Sequence, residues 1–216
     1  MMTLYHCVDA RSFRPLWALE EAGVDYTLKL LPFPPRVRAR EYLEINPLGT
    51  IPAFNDGDVW MTESAAIVEY VCVRYAKDTL AVASDRPGFG AFLNFLHFGE
   101  ATLTFPQTLI LRYARFEPPE RRQPQVAADY RQWFLARLKG LDRVLSGSDY
   151  LVENRFTGAD ISVGYALLLA DSLGMAQAFS PTVSAYWDRL QAREGFKRAK
   201  ARQAQEAQTL KIGPTL

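Results

Sequence analysis

The two strongest local signals in the sequence are NPLGTIPAF at residues 46–54 and TESAAI at residues 62–67. In the first, a glycine turn leads into Ile51-Pro52, with the proline at the start of a strand, where a cis peptide bond suits the geometry. A cis bond would leave the Ile51 main chain free to pair with an extended peptide, as in strand addition. The alternative interpretation is an ordinary trans proline at a strand start.

The second stretch, TESAAI, follows a strand and begins a helix. Free backbone N–H groups at a helix N-terminus attract a carboxylate, and Ser64 adds a hydroxyl donor. Glu63 supplies an acceptor for an ammonium group. The pair would therefore suit the α-carboxylate and α-amine of an amino acid. Simple helix capping, with Glu63 opposing the helix dipole, is the alternative.

Short strand and helix patterns alternate around these stretches. We predict strands at residues 3–7, 26–31, 51–54 and 59–61, and helices at about 12–23 and 62–76. Ser12 is the expected N-cap and Gly23 the expected C-cap of the first helix. After a linker at 84–88, we predict helices over 89–116 and 127–145. A third helix begins with a capping box at Thr157 and Asp160, a fourth begins at residue 181, and a polar tail ends the chain. This predicts an α/β domain over residues 1–78 and an all-α domain over 88–216.

The bulk composition excludes several classes of partner. Lys and Arg total 25 against 24 Asp and Glu, so no overall field would gather nucleic acid or a membrane surface. The two cysteines have neither disulfide-framework nor metal-site spacing, which indicates a reducing compartment and no metal. Without a signal peptide or a transmembrane-length apolar run, a cytoplasmic protein is expected.

The two stretches, taken together, resemble the glutathione site of the cytosolic, bacterial-like members of the glutathione S-transferase superfamily. YHCVDARSFRPLWALEEAG (5–23) resembles that family's first strand and helix, and FTGADISVGYAL (156–167) resembles its capping-box helix. The resemblance implies a thioredoxin-like N-terminal domain, an all-α C-terminal helical bundle and a homodimer. It also implies a role in detoxification, with glutathione as co-substrate and a small hydrophobic electrophile as its acceptor.

The family's glutathione-binding positions can be carried over one by one. The Ile51 main chain would pair with the cysteinyl unit beside cis Pro52, and Glu63 and Ser64 would hold the γ-glutamyl end. Arg36, or alternatively Arg38, would pair with the glycyl carboxylate.

The second substrate is expected between the domains, against the first long helix of the bundle. Its candidate contacts are Phe98, Thr102, Phe105 and Tyr113, whose aromatic character suits a hydrophobic acceptor. Residues at helical spacing are also typical of an interdomain core. The role of His97 stays open.

The residue that activates the thiol departs from the family pattern. Serine-type and cysteine-type members carry that residue four or five positions before the arginine that matches Arg14, where this chain has Ala10 and Asp9. Neither offers a hydroxyl or thiol donor, and an ionised Asp9 would disfavour a thiolate. The substitutes are Arg11, Ser12 and the positive potential of the first helix's N-terminus.

Strand alternation places two further residues beside this position. Cys7 is expected in the core, whereas His6 would line the site or face solvent. The favoured reaction is transfer of the glutathione thiolate to an electrophilic carbon. Glutathione-dependent disulfide or peroxide reduction, dehalogenation, isomerisation, and ligand binding without turnover stay open as alternatives.

Overall fold

A four-stranded mixed sheet organises the first part of the chain in the computed structural model, which describes residues 1–213. The strands are β1 (Met2–His6), β2 (Tyr26–Leu30), β3 (Ala53–Asp56) and β4 (Val59–Met61), in the order β2-β1-β3-β4. β1 and β2 are parallel, with Leu4 opposite Leu28, whereas β3 is antiparallel to both β1 and β4. The predicted sheet with an antiparallel edge is confirmed.

Two helices of this part lie where the sequence predicts them, α1 (Phe13–Ala22) and α3 (Ser64–Tyr75). Between them are a short helix, α2 (Pro35–Arg38), and a 3-10 turn at Arg40–Glu44, which the sequence did not predict. α1 ends as predicted, because Gly23 adopts a left-handed φ of 65° and its N–H bonds to Leu19 O. Pro15 to Leu19 of α1 are all buried.

The chain was predicted to end in a polar tail, and this prediction is wrong because a helix occupies that segment. α9 (Glu194–Leu210) is a helix of 17 residues. Phe196, Ala199 and Gln203 recur at helical spacing and are buried on one face. The Phe196 ring meets the Trp17 ring edge-on, with centroids 5.0 Å apart. Residues 190–213 therefore form one compact unit with Met1–Ala83, whereas the sequence analysis places them in the second domain.

The second unit, Ser84–Arg189, is helical. Its helices are α4 (Phe89–His97), α5 (Phe105–Leu111), α6 (Pro124–Leu145), α7 (Gly158–Ser172) and α8 (Pro181–Gln191), whose last residues pass the boundary of the unit. π-helical turns at Phe98–Thr104 and Arg112–Phe116 keep the predicted segment 89–116 helical throughout. Gly99 lets α7 approach closely, because a Cβ there would lie 2.5 Å from Ser162.

The capping box at the start of α7 is confirmed, with aspartate in place of the usual Glu or Gln. Thr157 Oγ1 accepts from Ala159 N–H, and the Asp160 carboxylate accepts from Thr157 N–H at 2.8 Å. Asp160 also accepts from Leu151 N–H and Tyr186 O–H, and burial raises its pKa to about 6. The sheet and the helical region together confirm the predicted fold class. In residues 1–213, every helix is too short or too polar to cross a bilayer.

Candidate functional site

The loop before β3 is held in one conformation by its own polar side chains. The Ile51–Pro52 peptide is cis, as predicted. Asn46 Nδ2 and Tyr42 O–H both donate to Thr50 O, at 2.8 and 2.7 Å. Within residues 1–213, the N–H and C=O of Ile51 make no backbone hydrogen bond. The Ile51 main chain therefore keeps its pairing capacity for an extended peptide.

The turn before this loop brings one candidate cation beside it. Gly49 has a φ of 60°, and a Cβ built there would lie 2.6 Å from the Cβ of Arg36. Arg36 is exposed on α2, so its guanidinium is available next to the loop. Arg38, the alternative candidate, is exposed on the same short helix.

The start of α3 presents one exposed and one buried side chain. Glu63 precedes the helix in an extended conformation, is exposed and makes no side-chain capping hydrogen bond. Ser64 is buried, and its Oγ accepts from Arg14 Nη1 at 3.2 Å. Arg14 is itself wholly buried in α1. A buried guanidinium thus stands behind the N-terminus of α3, at the position predicted for a carboxylate.

The start of α1 packs against the cis-proline loop. Ala10 lies on an apolar cluster that contains Cys7, Tyr42, Ile51 and Ala53. The structure thereby brings Ala10 and Ile51 together, and the Arg14–Ser64 hydrogen bond links α1 with α3. Three segments far apart in sequence meet on this unit.

Ser12 and His6 make contacts that differ from the predictions. Ser12 is the N-cap residue of α1, as predicted, but it makes no side-chain capping hydrogen bond, so the capping role expected of its hydroxyl is wrong. Its Oγ instead lies 2.7 Å from His6 Nδ1 and accepts from Cys7 N–H at 3.2 Å. His6 is wholly buried, so it neither lines the site nor faces solvent. Burial lowers the His6 pKa to about 4, and the ring is neutral at physiological pH.

The hydrogen bonds of Gln203 assign the His6 tautomer. Gln203 Nε2 donates to Asp9 Oδ1 at 2.6 Å, which orients the amide, and its Oε1 accepts from Asp9 N–H. His6 Nε2 lies 2.9 Å from the same Oε1 and must therefore carry the proton. His6 Nδ1 is then an acceptor, so Ser12 O–H donates to it. The Ser12 proton is consequently engaged inside the protein.

Asp9 is paired with α9, which the sequence interpretation missed. Lys200 Nζ lies 2.7 and 3.0 Å from the two Asp9 carboxylate oxygens. Asp9 has a left-handed φ of 52°, and its neighbours Ala10 and Arg11 are half-buried. The only sequence signal for Lys200 and Gln203 was the helical spacing of Phe196 and Ala199, which a polar composition obscured.

The cysteine beside this site is not a usable nucleophile. Cys7 is wholly buried, as predicted, and burial raises its pKa to about 12. The thiolate is the reactive form of cysteine, so the Cys7 side chain acts as a small apolar core residue.

The candidate contacts of the hydrophobic substrate lie on the second unit and do not all converge. Phe98 and Thr102 line an open cavity of about 420 Å³ together with His97. Phe105 is not among the residues that line this cavity, and 58% of its surface is exposed. Tyr113, also outside it, stacks under the Arg112 guanidinium at 5.5 Å.

Comparison with known proteins agrees with this geometry. Residues 1–72 match the family model of the glutathione S-transferase N-terminal domain. Glutathione S-transferase F10 of Arabidopsis thaliana is 28% identical over 213 residues, 94% of this chain and 97% of that protein. The solved structure of the glutathione transferase URE2P6 from Phanerochaete chrysosporium, in complex with oxidized glutathione, superposes with a TM-score of 0.82. It is 25% identical, and the match covers 94% of this chain and 96% of that one.

A third relative extends the similarity well beyond the N-terminal domain. Glutathione S-transferase 4 of Zea mays is 31% identical over 189 residues, which are 83% of this chain and 82% of that protein. An alignment of this length includes the cis-proline loop, the start of α3 and the capping box of α7. On this similarity, the chain belongs to the glutathione S-transferase family.

Proposed function

We propose that this protein binds glutathione on its first unit and transfers the glutathione thiolate to a small hydrophobic electrophile. One observation carries the proposal: within residues 1–213 the Ile51 main chain makes no backbone hydrogen bond beside cis Pro52. Ile51 also packs with Ala10, in the same unit as the start of α3. An extended tripeptide with a central thiol suits this arrangement. URE2P6, which shares the fold, was crystallised with oxidized glutathione.

Each end of glutathione has a complementary group in the proposed site. The γ-glutamyl carboxylate would accept hydrogen bonds from the N-terminus of α3 and from the Ser64 hydroxyl, with the Arg14 guanidinium behind Ser64. The Glu63 carboxylate would hold the ammonium group. Arg36, which is exposed beside the Gly49 turn, would pair with the glycyl carboxylate.

Thiol activation is assigned to the N-terminus of α1 and the Arg11 charge. The Ala10 side chain has no hydrogen-bond donor, and the Ser12 hydroxyl donates its proton to His6. Charge at a helix terminus is worth about 0.3–1 kcal/mol when exposed and up to ~2 when partly buried. One pKa unit is about 1.4 kcal/mol, so the thiol pKa falls by roughly one unit. We therefore expect modest conjugation rates, and Ala10→Ser should raise them by adding a donor.

Carbon–sulfur bond formation fits the site better than disulfide exchange through a protein thiol. An exchange of that kind needs a reactive cysteine, but both cysteines are buried and the Cys7 pKa is raised to about 12. Phe98 and Thr102, which line an open cavity, are the contacts that we propose for an aromatic electrophile. Tyr113 and Phe105 stay candidate contacts.

Calorimetric titration with glutathione tests the binding site. Glu63→Ala should weaken binding by roughly 1–3 kcal/mol, because it removes a charge-assisted hydrogen bond. Asp58→Ala, which removes an exposed carboxylate from the β3–β4 turn, is the matched control and should bind like wild type. Unchanged affinity in Glu63→Ala would discard the γ-glutamyl assignment. Tight binding without turnover of any aryl halide would instead identify a glutathione-binding protein.

The proposal extends to a homodimer. On the first unit, Val73 of α3 exposes 55% of its surface and lines an open cavity with Met61 and Tyr70, which offers a partly apolar surface to a second copy of the chain. Sedimentation at micromolar concentration should give the mass of two chains, and a monomer mass would refute this part of the proposal.

A further inference from the structure

The last helix contributes two side chains to the segment that precedes α1. Lys200 and Gln203 lie three residues apart on α9 and so share a face. Lys200 bonds both carboxylate oxygens of Asp9, and Gln203 bonds the Asp9 carboxylate and main-chain N–H. The Asp9 carboxylate is therefore held against α9 by residues more than 190 positions away in sequence.

The location of this ion pair matters because Asp9 directly precedes Ala10. In the proposed glutathione site, the thiol lies at Ala10 and the start of α1. An unpaired carboxylate one residue away would raise the free energy of the thiolate relative to the thiol. A carboxylate that is paired with an ammonium group contributes little net field there.

We propose that Lys200 is a positioning residue for the thiolate: it neutralises the Asp9 carboxylate and, with Gln203, holds it away from the bound thiol. This inference rests on the proposed glutathione site. With Asp9 neutralised, the positive end of α1 acts on the sulfur without an opposing carboxylate charge beside it.

The other charged and titratable groups around Asp9 leave this role to Lys200. From β1, His6 is neutral because burial lowers its pKa to about 4. Cys7 is neutral as well. Arg14 of α1 is buried and donates to Ser64, and Arg11, which precedes α1, is half-buried. From α9, Lys200 is the cation in contact with Asp9.

The expected effect follows from the partial exposure of the pair. The Lys200 and Asp9 side chains are 37% and 26% exposed, so solvent and salt screen their interaction. For one uncompensated charge several ångströms from the sulfur, we expect the pKa of the bound thiol to rise by about 0.5–1 unit. Below that pKa, turnover should fall about 3–10-fold, because the thiolate fraction falls by this factor.

The experiment compares Lys200→Gln with Lys197→Gln. Lys197 lies one turn earlier on α9 and pairs with the exposed Glu194, so its loss removes the same charge without contacting Asp9. Thiolate absorbance of enzyme-bound glutathione gives the pKa, and the pH profile of kcat/KM gives the turnover. Lys200→Gln should move the thiol pKa and the kcat/KM profile to higher pH, and its kcat/KM should match that of wild type in alkaline solution. Lys197→Gln should leave the thiol pKa and the profile unchanged. The shift should shrink at high ionic strength.

A second variant separates charge from packing. Asn tolerates the left-handed backbone of residue 9 and keeps an oxygen for Gln203 Nε2. Adding Asp9→Asn to Lys200→Gln should return the thiol pKa to the wild-type value, because no net charge is left. An unchanged thiol pKa in Lys200→Gln, or equal loss of activity at every pH, would overturn the inference while leaving the glutathione site intact. Absence of glutathione binding to the wild-type protein in calorimetry would overturn the proposed function and the inference with it.

Discussion

Ser12→Ala tests whether the buried hydroxyl serves structure or catalysis. In the folded protein this hydroxyl donates to His6 Nδ1 and accepts from Cys7 N–H, at 2.7 and 3.2 Å. The residue is wholly buried, so water cannot replace the lost hydroxyl. The substitution leaves one buried acceptor and one buried donor without their partner, and we expect it to destabilise the first unit.

The magnitude follows from those two groups. An unsatisfied buried donor or acceptor costs about 1–3 kcal/mol, so the two together should cost about 2–6 kcal/mol. For a chain of 150–250 residues, each kcal/mol lowers the Tm by roughly 2–4 °C. A decrease in Tm of about 4–24 °C is therefore expected. The rate of conjugation per folded molecule should stay close to that of wild type, because the Ser12 proton points at His6.

Calorimetry and urea denaturation measure the stability change, and conjugation of an aryl halide well below the transition measures turnover. Ser146→Ala is the matched control, because its hydroxyl donates to Arg143 O on an exposed helix end and its loss should change stability by less than about 0.5 kcal/mol. If Ser12→Ala abolishes activity at an unchanged Tm, Ser12 is the thiol activator. The assignment to the N-terminus of α1 would then be refuted.

Two further predictions concern the same unit. Burial lowers the His6 pKa from 6.5 to about 4. Between these two values the unfolded chain binds a proton on His6 that the folded chain does not, so the protein loses stability as the pH falls from 6.5 to about 4. In urea titrations, the free energy of unfolding of wild type minus that of His6→Gln should fall by about 3 kcal/mol from pH 7 to pH 4. Comparing the two variants cancels the opposite contribution of Asp160, which both contain. A difference that stays constant with pH would contradict the prediction. Gly49→Ala meets both a left-handed φ and the Cβ of Arg36 at 2.6 Å, so it should cost about 1–3 kcal/mol and weaken glutathione binding several-fold. Gly57→Ala has the same φ penalty in open space and should leave the calorimetric affinity unchanged; equal losses of affinity in both variants would disprove the role of the Arg36 contact.

Local sequence patterns predicted much of the fold. The strands, α1 with its Gly23 C-cap and the Thr157–Asp160 capping box each depend on residues within a few positions of one another. The glycine turn and the proline at a strand start left cis and trans Ile51-Pro52 open, and the resemblance to the family selected the cis form that the structure has. α9 was missed because its buried face is small and polar residues dominate its sequence.

Patterns within the sequence were enough for the order of elements and the fold class, because periodicity, turn residues and caps act over short distances along the chain. The segments that bear the candidate glutathione contacts came from the resemblance to the family. The partners of Ser12 and Asp9, by contrast, depend on the tertiary structure. Both residues are held in a network with Gln203, which is 197 positions from His6 and 194 from Asp9. Which donor a buried hydroxyl or carboxylate meets depends on the packing of distant helices, and helical spacing within α9 does not specify that contact.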